Sequence, residues 1–199
     1  MRTYLACFVV TLGVANMAIA QEPAKDHVTP EGFTSLFNGK DLTGWLQQGK
    51  TPTNWTVENA VLSFNGKGGD LRHTEKFSNF ILLIDWKIPK GGNSGVYLRG
   101  GATQVEINDG DPTKPTSNAT SGGLYPDKAP IKHAMKSPGD WNHYEIRVDK
   151  GLITVILNGE KTIDAFEKKW GNAKEGPIGF QSHGTLVHFK NIYIKKLPD

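Results

Sequence analysis

The sequence predicts an all-β protein, two antiparallel sheets packed as a sandwich of the jelly-roll kind. Three observations lead there. Short runs rich in Val, Ile, Phe, Tyr and Trp recur along the 199 residues, separated by Gly, Asn, Asp and Pro. Several alternate apolar with polar residues, the period of a strand buried on one face. Apolar residues at helical spacing are almost absent. Many short strands with turns at short intervals are the pattern of sandwiches and jelly rolls.

Taken in order, residues 1–20 hold one basic residue, an apolar centre and a small-x-small ending at Ala18 and Ala20. That pattern is a secretory signal cleaved before Gln21 rather than a membrane span, and it predicts a secreted or periplasmic protein. Cys7, the single cysteine, falls inside it. The remaining chain therefore has no thiol for catalysis or zinc thiolate ligation. Residues 21–30 form a polar tail. Residues 31–199 are enough for one domain, since a chain of roughly this size buries about 70 % of its unfolded surface. The formal net charge is +3 with no block of like charges, so nothing argues for nucleic acid.

Strand-like runs then occupy 55–64, 80–88, 95–99, 103–108, 142–149, 152–160, 176–182 and 187–197. Asn65-Gly66 and Asn158-Gly159 are tight hairpin signals. Residues 162–169 read as a helical turn or loop. Residues 109–140 contain Pro112, Pro115, Pro126, Pro130 and Pro138 and read as a long covering loop, a type of segment that is usually functional or disordered. Within it Gly122-Gly123-Leu124-Tyr125 allows backbone and a Tyr to approach a ligand closely.

Residues 93–109 are the most informative. Strand alternation puts Val96 and Leu98 on one face and Tyr97 and Arg99 on the other. In the second run Val105 and Ile107 face one way, and Gln104, Glu106 and Asn108 the other. The open side carries an acid, a guanidinium, amides and an aromatic ring, the groups a sugar-sized polyol needs.

Gly32-Phe33-Thr34-Ser35-Leu36-Phe37-Asn38-Gly39-Lys40-Asp41-Leu42-Thr43-Gly44-Trp45 resembles the opening signature of the bacterial 3-keto-disaccharide hydrolase domain family. Further similar segments follow in order: Trp55 with its strand, Asn93 to Arg99, Gln104 to Asp109, Gly123-Leu124-Tyr125, Gly139-Asp140-Trp141-Asn142, Leu157-Asn158-Gly159, Ile178 to Gly184 and Phe189-Lys190-Asn191-Ile192. They span roughly residues 32–197. Two positions depart from the family pattern. Gln104-Val105-Glu106 stands where the family reads Glu-x-Gln, moving the acid by one strand repeat, about 6.6 Å. Lys190 replaces an Arg.

The resemblance implies a concanavalin- or laminin-G-like jelly roll, export to the envelope, and a substrate glycoside already oxidised to a ketone at C3 by a partner oxidoreductase. The ketone acidifies C2–H, so the aglycone leaves C1 by β-elimination; water addition then gives net hydrolysis, the preferred outcome, or the reaction ends at elimination. Such a route needs a base, a group that stabilises the enolate oxygen, and a proton donor. Glu106 is the expected base, Arg99 the electrostatic partner of the enolate and His183 an acid or base. Asp85, Tyr97, Gln104, Asn108, Tyr125 and Gln181 are the expected substrate contacts. Each has a structural alternative: Glu106 and Arg99 as a surface cross-strand pair, Asp85 as an ordinary exposed acid, His183 as a turn residue. A divalent cation stays open, although no segment has a known metal-ligand spacing. Two other classes remain: a non-catalytic carbohydrate-binding module and an envelope interaction protein.

Overall fold

The computed structural model describes residues 28–101, 103–171 and 173–198; the expected signal segment lies outside them. No helix appears among the described residues, so none is long and apolar enough to cross a membrane. The strands are β1 (Thr34–Ser35), β2 (Trp45–Gln47), β3 (Trp55–Glu58), β4 (Val61–Asn65), β5 (Leu71–Phe77), β6 (Phe80–Lys87), β7 (Asn93–Leu98), β8 (Thr103–Asn108), β9 (Leu124–Tyr125), β10 (Asn142–Asp149), β11 (Leu152–Leu157), β12 (Glu160–Glu167), β13 (Gly176–Phe180) and β14 (Leu186–Lys196). The first sheet runs β12-β11-β10-β6-β14-β4-β3, with β1 also paired to β14; the second runs β2-β5-β13-β7-β8-β9. All pairings are antiparallel, as the sandwich prediction requires.

Alternation decides which face is core. In β6, Phe80, Leu82, Ile84 and Trp86 are fully buried while Ile81, Leu83, Asp85 and Lys87 face outward. In the second sheet Val96, Leu98, Val105, Ile107, Ile178 and Phe180 point at them. The layers meet at Phe180 on β13 and Phe189 on β14, whose rings stack 4.0 Å apart.

Turn chemistry explains the hairpins. Asn158 and Gly159 both take positive φ (54° and 84°) and join β11 to β12, as the Asn-Gly signal predicts. The same backbone occurs at Asn59-Ala60 between β3 and β4 and at Lys150-Gly151 between β10 and β11. Asn65-Gly66 behaves differently: β4 and β5 lie in different sheets, so this turn carries the chain across the sandwich instead of closing a hairpin. Residues 162–169 are also not a helical turn. Most of them belong to β12, where Ile153↔Phe166 and Val155↔Ile163 pairing with β11 satisfies the backbone and a bulge at Ala165 (φ 45°) absorbs the irregularity.

The covering loop is tied down at both sheet edges. On the first sheet, Thr162 Oγ1 donates to the Gly122 carbonyl at 2.9 Å and the Ile131 N–H donates to the Thr162 carbonyl. On the second, β9 pairs with β8, and Asp127 accepts from Thr103 Oγ1 and Lys168 Nζ, both at 2.6 Å.

Candidate active site

The site is built on the outer face of the second sheet. In β8, Val105 and Ile107 fill the core, so Gln104 and Glu106 project the opposite way. They are nevertheless only 5 % and 3 % exposed, because β9 and the covering loop close over that face. The loop also fixes the Glu106 backbone: its N–H donates to the Gly123 carbonyl, and its carbonyl accepts from the Gly122 N–H and from the hydroxyl of fully buried Tyr144. Gly122 (φ 85°) can approach this closely because it lacks a Cβ, which would lie 2.8 Å from Thr162 Oγ1.

Across the ladder, Gly95 stands opposite Glu106. A Cβ there would lie 2.7 Å from Cδ of Gln104, so glycine makes the room in which that amide turns toward the acid. Gln104 Nε2 donates to Glu106 Oε2 at 2.8 Å and reaches Gln181 Oε1 at 3.4 Å. Burial pushes the Glu106 carboxyl up to about 7, outweighing the hydrogen bonds from Gln104 and Asn108 that favour its charged form.

A hollow of about 270 Å³ opens here, lined by Asn93, Gln104, Glu106, Ala119, Tyr125, Gln181 and His183. Buried Gln104 and Glu106 form its floor; exposed Tyr125 and His183 form its rim. Behind Gln181 runs a charged relay. Tyr97 hydrogen-bonds Asp70 and Gln181, and burial together with the Asp70 carboxylate raises its hydroxyl pKa. The Arg72 guanidinium lies 4.9 Å over the Tyr97 ring and 3.5 Å from Asp70. Asp70 also accepts from the N–H and Oγ of Ser182.

The structure thus brings Glu106, Gln104, Gln181, His183 and Tyr125 to one hollow, with Tyr97 and Asn108 beside its floor. Two expected residues lie elsewhere. Arg99 does not face Glu106. The strand ends at Leu98, and Arg99 turns away in left-handed backbone (φ 46°). Its Nε donates to the Ser78 carbonyl at 2.7 Å, a terminal nitrogen reaches Asn79 Oδ1, and the guanidinium lies 4.5 Å over Trp170. Gly95 is the residue opposite Glu106, so Arg99 sits four residues further along, roughly 13 Å at the usual rise. Asp85 is on the outer face of the first sheet, bonded at 2.6 Å to both His143 and Asn191, with the whole core between it and the hollow.

Sequence reasoning missed Asn93, Gly95, Asp70 and Arg72. Asn93 lines the hollow, and its Oδ1 is buried with no hydrogen-bond partner. Asn93 and Gly95 sat inside the stretch already singled out, but their value depends on register with β8. Arg72 and Asp70 sit in and beside β5, whose polar sequence gives little strand signal. Among the described residues, no group of three or more His, Asp or Glu is placed to hold a metal ion.

Comparison with known proteins agrees with this architecture. A family model described as the 3-keto-alpha-glucoside-1,2-lyase-like domain matches residues 32–195. A 3-keto-disaccharide hydrolase of Bacteroides thetaiotaomicron is 30 % identical, over 94 % of this chain and 84 % of that protein. A Parabacteroides distasonis protein, crystallised under the working description of a glycosyl hydrolase, superposes with a TM-score of 0.77 at 30 % identity, over 87 % of this chain and 100 % of that one. A β-glucanase of Bacillus licheniformis shares the jelly-roll fold alone, with a TM-score of 0.58 at 14 % identity, over 85 % of this chain and 100 % of that one.

Proposed function

The chain belongs to the 3-keto-alpha-glucoside-1,2-lyase-like domain family, and from that premise we propose that it cleaves glycosides carrying a ketone at C3, with Glu106 as the base that removes the C2 proton. One observation carries the assignment. Glu106 is a buried carboxyl on the floor of a sugar-sized hollow, contacted by amides, with its pKa raised to about 7. An acid with these surroundings is half ionised near neutral pH and basic enough to take a carbon-bound proton next to a ketone.

Glu106 takes the C2 proton, and the C2–H electron pair forms the C1=C2 bond through the enolate. The C1–O bond then breaks, and its pair leaves with the aglycone oxygen, which is protonated. Water added to the unsaturated ketone completes net hydrolysis. Amide N–H groups of Gln104 and Asn108, both bonded to the acid, are the donors for the enolate oxygen, a role that sequence alone assigns to Arg99. His183 on the rim is the proton donor to the leaving oxygen. Export, read from residues 1–20, belongs to the same proposal; a mature N-terminus at Gln21 is the expected finding.

The test is incubation with a 3-keto-disaccharide and, separately, its unoxidised parent. Free sugar from the ketone alone supports the proposal, with Glu106→Gln slower by at least about 100-fold, the usual scale of general-base catalysis. Binding without release of sugar makes the domain a carbohydrate-binding module. Equal cleavage of both disaccharides removes the role of the ketone.

A further inference from the structure

A second cavity of about 190 Å³ opens one strand repeat along β8 from the first. Asn108, one strand repeat from Glu106 on the same face of β8 (about 6.6 Å), both hydrogen-bonds the Glu106 carboxyl and lines this second space. The covering loop supplies the rest of the partition. Ala119 lines the first hollow, while Thr120 and Ser121 line the second. Ser121 is fixed there, because its hydroxyl accepts from the Asn108 N–H at 2.8 Å and donates to the Asn108 carbonyl at 2.9 Å. The far wall is the segment from His133 to Pro138, where Met135 and Pro138 give apolar surface and His133 a polar ring edge.

We propose that this second cavity is the seat of the leaving ring, a single polyhydroxylated pyranose. The assignment rests on the reading of Glu106 as the base and adds where the aglycone lies. Three observations lead to it. The offset of one strand repeat is close to the length of one sugar unit, so a ring joined through C1 to a residue over Glu106 reaches this space without stretching. The volume, about 190 Å³, is enough for a ring-sized ligand. Together the two cavities fall within the ~300–1,000 Å³ of an ordinary ligand site, which neither reaches alone. The lining fits a pyranose, which has apolar faces and a rim of hydroxyls: Met135 and Pro138 meet the face, and Asn108 and His133 the rim. The reacting ring does not belong here. Glu106 lines the first hollow and not this one.

The test compares kcat/KM for a 3-keto-disaccharide and for the methyl 3-keto-glucoside, which has no second ring. The unaltered protein is expected to prefer the disaccharide. Met135→Trp, which fills the cavity, is expected to cut that preference by at least about tenfold, the scale on which an apolar pocket discriminates. His133→Ala, which removes a half-buried ring bonded through Nε2 to the Lys114 carbonyl at 2.9 Å, is expected to raise KM for the disaccharide more than for the methyl glycoside, and it serves if the tryptophan disturbs folding. If both substrates lose equally, or neither variant changes the ratio, the assignment is overturned. Turnover of the methyl glycoside with an unchanged ratio leaves the role of Glu106 standing, whereas turnover of neither substrate by the unaltered protein overturns both.

Discussion

Replacing Glu106 by Gln is expected to make the protein more stable while making it inactive, and the gain depends on pH in a way the structure fixes. In the fold the carboxyl titrates at about 7 against 4.5 for an unperturbed glutamate. The folded chain therefore holds a proton that the unfolded chain has already released. Stability falls as pH rises between about 4.5 and 7, and above that range the full cost is present. A shift of that size corresponds to about 3 kcal/mol at roughly 1.4 kcal/mol per pH unit. The substituted amide carries no charge at any pH and still offers a carbonyl to Gln104 Nε2, so the variant escapes the cost. For a domain of this size the gain is about 6–12 °C in Tm at pH 8, shrinking to nothing near pH 4.5. Thermal unfolding of both proteins across that range measures it. A difference in Tm that does not vary with pH, or a wild type more stable than the variant at pH 8, would refute the claim that burial raises the Glu106 pKa.

Other consequences follow from the same geometry. The rate on a 3-keto-glycoside should climb about tenfold per pH unit below about 7, as expected when the ionised base is the active form; a rate–pH profile checks this. Gly95→Ala puts a methyl against the Gln104 amide; it should cost about 1–3 kcal/mol in denaturant unfolding as an overpacked site. Because it also removes a bond that favours ionised Glu106, the inflection of the pH profile should move upward. Arg99→Met strips the bonds to Ser78 and Asn79; it should cost about 2 kcal/mol of stability, read by chemical denaturation, while the folded fraction keeps its specific rate.

The sandwich was legible because period-two alternation is a direct consequence of one-sided burial, and it runs cleanly through β6, β8 and β10. β12 was not, since Asp164-Ala165-Phe166-Glu167 favours a helix locally and becomes a strand only because β11 offers it a ladder. Asn65-Gly66 shows the same limit: a dipeptide fixes the turn but not which sheet receives the next strand. At the site, alternation correctly put Gln104 and Glu106 on one face, since both lie within a regular strand. It failed at Arg99 one residue past the strand's end, where left-handed backbone turned the side chain toward Ser78. Asp85 was misplaced for another reason. Alternation shows that it faces away from the core, and a sandwich has two such faces, which sequence alone does not distinguish. Gly95 was invisible as a site residue because its contribution is the absence of a side chain opposite Glu106, and only the register reveals that.

The claim that Glu106 draws a proton from C2 is tested most directly by substrate labelled with deuterium at that carbon. A primary isotope effect on turnover, absent when the label is at C4 and accompanied by loss of the C2 label to water, is the predicted result. Equal rates for labelled and unlabelled substrate, with the deuterium retained in the released sugar, would contradict it.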